Sequence, residues 1–190
     1  SAVGALATYL HTEPTGALQG VNIPLIAETL GIPEGAIRVC DQYRYATGAH
    51  SPDFMAHVYS ALDLLLNPSL GEGFGIPIVE AQACGTPVAV TDWTAMPELR
   101  GAGYVIEGDL TWSDQGAFWK TPSVGALEEA LEHLYSLDEE TRAEMRAAAR
   151  EFALGYDHRR VYQEHWEPVL AQLEQRMAPL PDPSELIEVA

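Results

Sequence analysis

Lysine is almost missing from this chain. Among 190 residues there are 10 Lys and Arg against 28 Asp and Glu, a formal net charge of −18, and Lys120 is the only lysine. Such a balance repels phosphate backbones and anionic headgroups, which excludes electrostatic binding to nucleic acid or to an acidic membrane surface. No nucleic-acid partner is expected. Cysteine is scarce as well: Cys40 and Cys84 stand alone, without the density of a disulfide framework or the paired spacing of a zinc motif. Both are expected to be small buried residues. No run reaches the roughly 18 apolar residues of a spanning helix, so no transmembrane segment is expected. The opening SAVGALATYLHTEP lacks the charged region and cleavage pattern of a signal peptide, and the expected location is cytoplasmic.

Chemistry-bearing patterns are missing too. The six histidines (11, 50, 57, 133, 158 and 165) show no H-E-x-x-H or comparable ligand spacing, so no metal site is expected. Ser69 has no G-x-S-x-G elbow around it, which argues against a serine hydrolase. The glycine-rich stretch LGEGFG (70–75) fits neither G-x-G-x-x-G nor the P-loop pattern G-x-x-x-x-G-K-[ST].

What is present is an alternation of short apolar runs and helical patterns. ALATYLHT (5–12), AIRVCD (36–41), LDLLLNPS (62–69), PVAVTD (87–92) and GYVIEG (103–108) read as strands. Between them lie IPLIAETLG (23–31), DFMAHVYSA (53–61) and IPIVEAQACG (76–85), the last a helix closed by Gly85. Strands this apolar belong in a sheet covered on both faces, so the expected class is α/β, a Rossmann-like parallel sheet flanked by helices. GDLTWSDQGAFWKTPS (108–123) reads as a long surface loop, followed only by helices. Ser123 is a candidate N-cap, Gly155 a helix end, and Pro168 should kink or restart a last helix whose stripe is Tyr162, Trp166, Val169, Leu170, Leu173 and Met177. The expected organisation is a domain over 1–155, a kinked C-terminal helix over 156–177 and a loose acidic tail over 178–190.

The turn LGEGFG, between a strand and a helix opening Ile76-Pro77, is an anion-binding device. Glycines let backbone approach a ligand, and first-turn amides favour negative charge. Two carboxylates there, Glu72 and Glu80, would repel a phosphate. They make sense if they accept from hydroxyls on either side of it, as in a nucleotide sugar with ribose on one side of a diphosphate and hexose on the other.

NPSLGEGFGIPIVEAQACGTPVAVTDWTAMPEL (67–99) resembles the signature of retaining glycosyltransferases of the GT-B fold, the glycosyltransferase family 4 and glycogen-synthase-like group, with its E-x7-E pattern on Glu72 and Glu80. The resemblance implies the C-terminal half of a GT-B fold with extra C-terminal helices. It implies that Glu72 is catalytic and binds the donor sugar, that Gly73, Phe74, Gly75 and Ile76 line sugar and diphosphate, and that Glu80 binds the ribose. It places Asp41, Gln42 and Tyr43 in the nucleobase vicinity. The substrate would be a UDP- or GDP-linked hexose, the mechanism retaining and metal-independent, and no cofactor is expected. In this family an N-terminal Rossmann-like domain binds the acceptor, and an early strand-helix unit brings an Arg and a Lys to the diphosphate; here no Lys or Arg precedes Arg38. The chain is therefore expected to be a fragment that recognises the donor but is inactive alone, its partner being that missing domain. The alternative is a non-catalytic nucleotide-sugar-binding or scaffold module of the same fold.

Overall fold

The computed structural model describes residues 6–17 and 20–177; the tail expected at 178–190 lies outside the described residues. The chain divides into two units, 1–55 and 56–190.

In the first unit β1 (Thr8–Leu10) and β2 (Ile37–Val39) pair in parallel, Thr8 opposite Ile37 and Leu10 opposite Val39. Parallel neighbours need a crossover, and α1 (Ile23–Thr29) lies between them in sequence, its first turn capped by Asn22, whose side chain accepts from the Leu25 N–H at 3.0 Å. Helix α2 (Gln42–Thr47) follows β2 at once. Asp41 caps it by accepting from the Arg44 N–H at 2.8 Å, and Gly48 closes it in the left-handed region. Helix α3 (Pro52–Ala61) runs across the boundary between the units.

The second unit is built on a three-stranded parallel sheet in the order β3-β4-β5: β3 (Leu65–Asn67), β4 (Val88–Thr91) and β5 (Gly103–Ile106). The central strand β4 is buried at every residue, as its apolar run Val88, Ala89 and Val90 requires, and the burial extends to Thr91. Helix α4 (Ile76–Ala83) makes the crossover from β3 to β4, whereas β4 reaches β5 through a single 3-10 turn at Pro97–Leu99. Gly103 has φ +121°, and a Cβ there would lie 1.9 Å from the carbonyl oxygen of Val88, its partner across the ladder. Only glycine permits that approach.

Helix α5 (Val124–Ser136) begins at the expected Ser123 cap and packs Ala126, Leu127 and Ala130 onto Ala89 and Ile106. Helix α6 (Glu139–Leu154) lies against α4 and buries Ala149 and Ala153. Small residues there bring the helices close enough for Arg150 to donate to the Ala83 carbonyl at 2.7 Å. Arg146 likewise donates to the carbonyls of Leu62 at 3.1 Å and Ser60 at 3.3 Å. Two guanidinium groups thus satisfy carbonyls at the C-terminal ends of α3 and α4, where the macrodipole also favours positive charge.

The stretch 108–123 is not a loop. It forms an antiparallel hairpin, β6 (Gly108–Trp112) with β7 (Phe118–Pro122), turning at Gly116 with φ +76°. Its glycine, serine and proline content disguises alternating Leu110, Trp112, Phe118 and Lys120, and Trp112 meets Phe118 edge to face with centroids 4.9 Å apart. The parallel pairing also falls into two hydrogen-bonded groups, β1-β2 and β3-β4-β5, instead of one continuous sheet.

After Gly155 come α7 (His158–Val161), a π-helical turn at Tyr162–Trp166, and α8 (Glu167–Arg176), with Pro168 in the first turn of α8. The restart at Glu167 is where the proline demands it, because Pro168 offers no N–H and its ring clashes with the carbonyl four residues back, inside the π-helical turn. Tyr162, Trp166, Val169, Leu170, Leu173 and Met177 are all exposed.

Candidate functional site

Helix α4 has two faces. Ile78, Ala81 and Gln82 are buried, whereas Ile76, Val79, Glu80 and Ala83, at i, i+3, i+4 and i+7, line a cleft of about 630 Å³. Phe74, Arg150 and Tyr156 stand around the same cleft. Glu72 is not among its lining residues, so the two glutamates of the sequence pattern occupy different surroundings.

Gly75 is the N-cap of α4 and adopts φ +96°. A Cβ at Gly75 would come within 2.7 Å of Cδ1 of Ile78, so the residue is glycine for both its backbone and its space. Pro77 takes a first-turn position where a missing N–H costs nothing. The N–H of Ile76 belongs to that first turn, which has no intrahelical acceptor. Phe74 and Ile76 are exposed beside it, with 47% and 62% of their surface free.

Each glutamate is held by a hydroxyl. The Ser69 hydroxyl donates to Oε1 of Glu72 at 2.7 Å, and the Glu72 N–H donates to Oγ1 of Thr94 at 2.9 Å. Thr94 in turn donates to the Trp93 carbonyl at 2.8 Å. It is the single described non-glycine residue with positive φ, at 53°, and a β-branched residue in that region is strained. On α4, Oε2 of Glu80 accepts from the Tyr59 hydroxyl at 3.0 Å. Tyr59 is buried, and that burial, with the hydrogen bond and the charge of Glu80, pushes its phenol far above the usual tyrosine range. Both carboxylates keep their other oxygen and remain acceptors.

The hairpin reinforces this turn. The Lys120 N–H donates to the Leu70 carbonyl at 3.0 Å, and Lys120 Nζ bonds both the Asp92 carboxylate at 2.9 Å and the Asp92 carbonyl at 2.8 Å. The Trp93 indole N–H donates to the Phe118 carbonyl at 3.1 Å. The single lysine of the chain is therefore committed to an ion pair, with only 14% of its side chain exposed.

Asp41, Gln42 and Tyr43 belong to the first unit. Asp41 is spent on the cap of α2, and Gln42 Nε2 donates to the carbonyls of Cys40 at 2.8 Å and Thr12 at 3.1 Å. Tyr43 is exposed over 78% of its surface and is the free one of the three to meet a flat ring. Sequence reasoning missed Tyr59, Thr94 and Lys120 as parts of the site. The signal for Tyr59 was there, a hydroxyl-bearing ring on the otherwise apolar buried face of DFMAHVYSA; Lys120 was hidden by reading its strand as loop.

This arrangement has counterparts. Sucrose-phosphate synthase from Thermosynechococcus elongatus superposes with a TM-score of 0.60 at 18% identity, over 89% of this chain and 38% of that one, so the fold is that of GT-B glycosyltransferases. The model of the family "Glycosyl transferases group 1" matches residues 45–152, and the chain belongs to that family. D-inositol 3-phosphate glycosyltransferase of Segniliparus rotundus is 33% identical over 103 residues, 50% of this chain and 22% of that protein. The Mycobacterium tuberculosis proteins of that name are also 33% identical, over 131 residues that make up 65% of this chain and 25% of theirs. The chain thus spans about a quarter of the length of these curated relatives.

Proposed function

We propose that this chain is the donor-binding domain of a retaining glycosyltransferase that moves a hexose from a UDP- or GDP-linked donor to an acceptor. The observation that carries the reading is the pair of hydroxyl-held carboxylates, Glu72 on the glycine turn and Glu80 on α4, flanking a helix N-terminus. The amides of Phe74, Gly75 and Ile76 face the diphosphate, Glu80 accepts from the ribose hydroxyls, and Glu72 accepts from the hexose near the reacting carbon. In the first unit, Tyr43, with Asp41 and Gln42, is the candidate for contact with a nucleobase. In this reading residues 1–155 form the donor domain and 156–177 its terminal helix. The acceptor site sits on an N-terminal half of the parent protein, and the reaction takes place in the cytoplasm.

Catalysis by such a site rests on charge. As the bond from sugar to diphosphate lengthens, negative charge grows on the leaving group, and amides already oriented toward it stabilise that charge without reorganisation. Neither a metal nor a cofactor has a step in this scheme. With Lys120 committed to Asp92, the remaining positive charge for the diphosphate comes from outside the turn, and this domain alone binds donor without efficient transfer.

The test is calorimetric titration of the chain with UDP, GDP, UDP-glucose and GDP-mannose, repeated on Glu80→Ala. The expected result is weak binding selective for one base and lost in the variant. A folded wild-type chain that binds none of the four would favour an interaction module that keeps the fold without the donor.

A further inference from the structure

His11, Cys40 and His50 come together in the first unit. Their ligand-type atoms all lie within 4.8 Å of one another, and among the described residues no other group of three His, Cys, Asp or Glu side chains does so. The topology makes this meeting. Leu10 and Val39 are partners across the β1-β2 ladder, and His11 and Cys40 occupy the next rung, tied by the Cys40 N–H donating to the Leu10 carbonyl at 3.1 Å. His50 reaches them from the connection between α2 and α3, its ring 5.0 Å from that of His11 by centroid and stacked on Phe54 at 4.4 Å.

His50 is the decisive residue. Both of its ring nitrogens are shielded from solvent, and neither has a hydrogen-bond partner. An imidazole must offer one donor and one acceptor or carry a charge, and burying either unmet is costly. The neighbours do not solve this: Cys40 is 4% exposed, and its thiol reaches only the Thr12 carbonyl at 3.7 Å and Gln42 Nε2 at 3.6 Å. His11 is exposed and has Nδ1 at 3.2 Å from the Tyr9 hydroxyl, the kind of outer contact that orients a ligating ring.

We infer that His11, Cys40 and His50 form a site for a borderline divalent transition ion, Zn²⁺ by the chemistry of its ligands. Two imidazoles and a thiolate suit that ion and are poor ligands for Mg²⁺ or Ca²⁺. At ordinary Zn–N and Zn–S bond lengths the ligand atoms of a tetrahedral site stand about 3.3–3.7 Å apart, so the cluster needs only a small side-chain contraction. On binding, the Cys40 S–H bond breaks, the proton goes to solvent, and the sulfur–metal bond takes its place. The fourth position opens beside exposed His11 and is filled by water. The ion joins the ends of β1 and β2 to the segment before α3, fixing the point where Asp41 begins its cap. Short ligand motifs could not reveal it, because the three residues come from three separate elements.

The metal-depleted, reduced chain is titrated with Co²⁺, followed by Zn²⁺. The expected result is a thiolate-to-cobalt charge-transfer band that saturates at one equivalent and is bleached by Zn²⁺. Cys84→Ser keeps the band and Cys40→Ser abolishes it. Exposed His11 permits a variant that folds, and His11→Gln should weaken Co²⁺ binding at least 100-fold with an unchanged circular dichroism spectrum. Absence of the band in wild type, its survival in Cys40→Ser, or unchanged affinity in folded His11→Gln overturns the site.

Discussion

The hydroxyl of Tyr59 and the carboxylate of Glu80 meet at 3.0 Å, joining α3 to the exposed face of α4. The bond uses one of the two carboxylate oxygens and leaves the other to a ligand. Tyr59→Phe removes the bond and lets the Glu80 side chain rotate. The expected outcome is a roughly 10-fold weaker nucleotide Kd, the lower end of what one hydrogen bond to a charged group is worth, with an unchanged base preference. Titration of wild type and variant with the nucleotide that binds checks this; an unaltered Kd removes Tyr59 from the site.

The same pair makes a pH prediction. Because the Tyr59 phenol is raised above its unfolded value of 10.0, the folded chain keeps this proton when the unfolded chain has lost it. Its contribution to stability is complete below pH 10 and declines as pH rises from there toward the folded value. Urea unfolding midpoints from pH 8 to 11 should therefore fall more steeply in wild type than in Tyr59→Phe. Equal slopes would mean that the phenol titrates normally.

Thr94 separates stability from binding. Glycine at this position relieves the positive φ, worth about 1–3 kcal/mol, but removes Oγ1 from the Glu72 N–H and adds backbone freedom, worth about 1–2 kcal/mol together. These nearly cancel, so Thr94→Gly should unfold within about 1 kcal/mol of wild type while losing donor affinity as the turn loosens. A variant that binds normally would show that the strain has no part in holding Glu72.

Gln82 is the interior counterpart. Its fully buried amide donates to the carbonyls of Ile78 at 2.9 Å and Leu99 at 2.8 Å and accepts from the N–H groups of Gly101 at 2.9 Å and Ala102 at 3.0 Å. Gln82→Met has nearly the same shape but orphans the backbone on the far side. The expected loss is about 3 kcal/mol by chemical denaturation, and a loss under 1 kcal/mol would show that this loop finds other partners.

The glycine turn before α4, the start of that helix and the order of strands were legible because they depend on local pattern: glycines at a turn, a proline at a helix start, apolar runs of strand length. Ser123, Gly155 and Pro168 could be placed for the same reason, since caps and breaks are local chemistry. The hairpin was not legible, because strand pairing rests on partners facing each other across a turn, and Gly116, Ser113 and Pro122 resemble loop composition more than strand. Nor were the hydroxyls of Tyr59 and Ser69, Thr94's amide contact or the Arg146 and Arg150 caps, all of which depend on the folding of distant segments. Gln82, read as one more helix residue in EAQACG, became intelligible only with Leu99 and Ala102 beside it. Cys84 was expected to be buried and is partly exposed, while Cys40 is buried as expected.

Lys120 bonds the backbone of Leu70 and both ends of Asp92, and Trp93 bonds the backbone of Phe118. Residues 108–122 therefore behave as a splint for the glycine turn, so the span most inviting to grafting or shortening is the one least tolerant of it. Inserting or deleting a single residue within β7 would exchange inward and outward side chains and carry Lys120 away from Asp92. Chimaeras between relatives should cut between Pro122 and Ser123, so that α5 keeps its own cap.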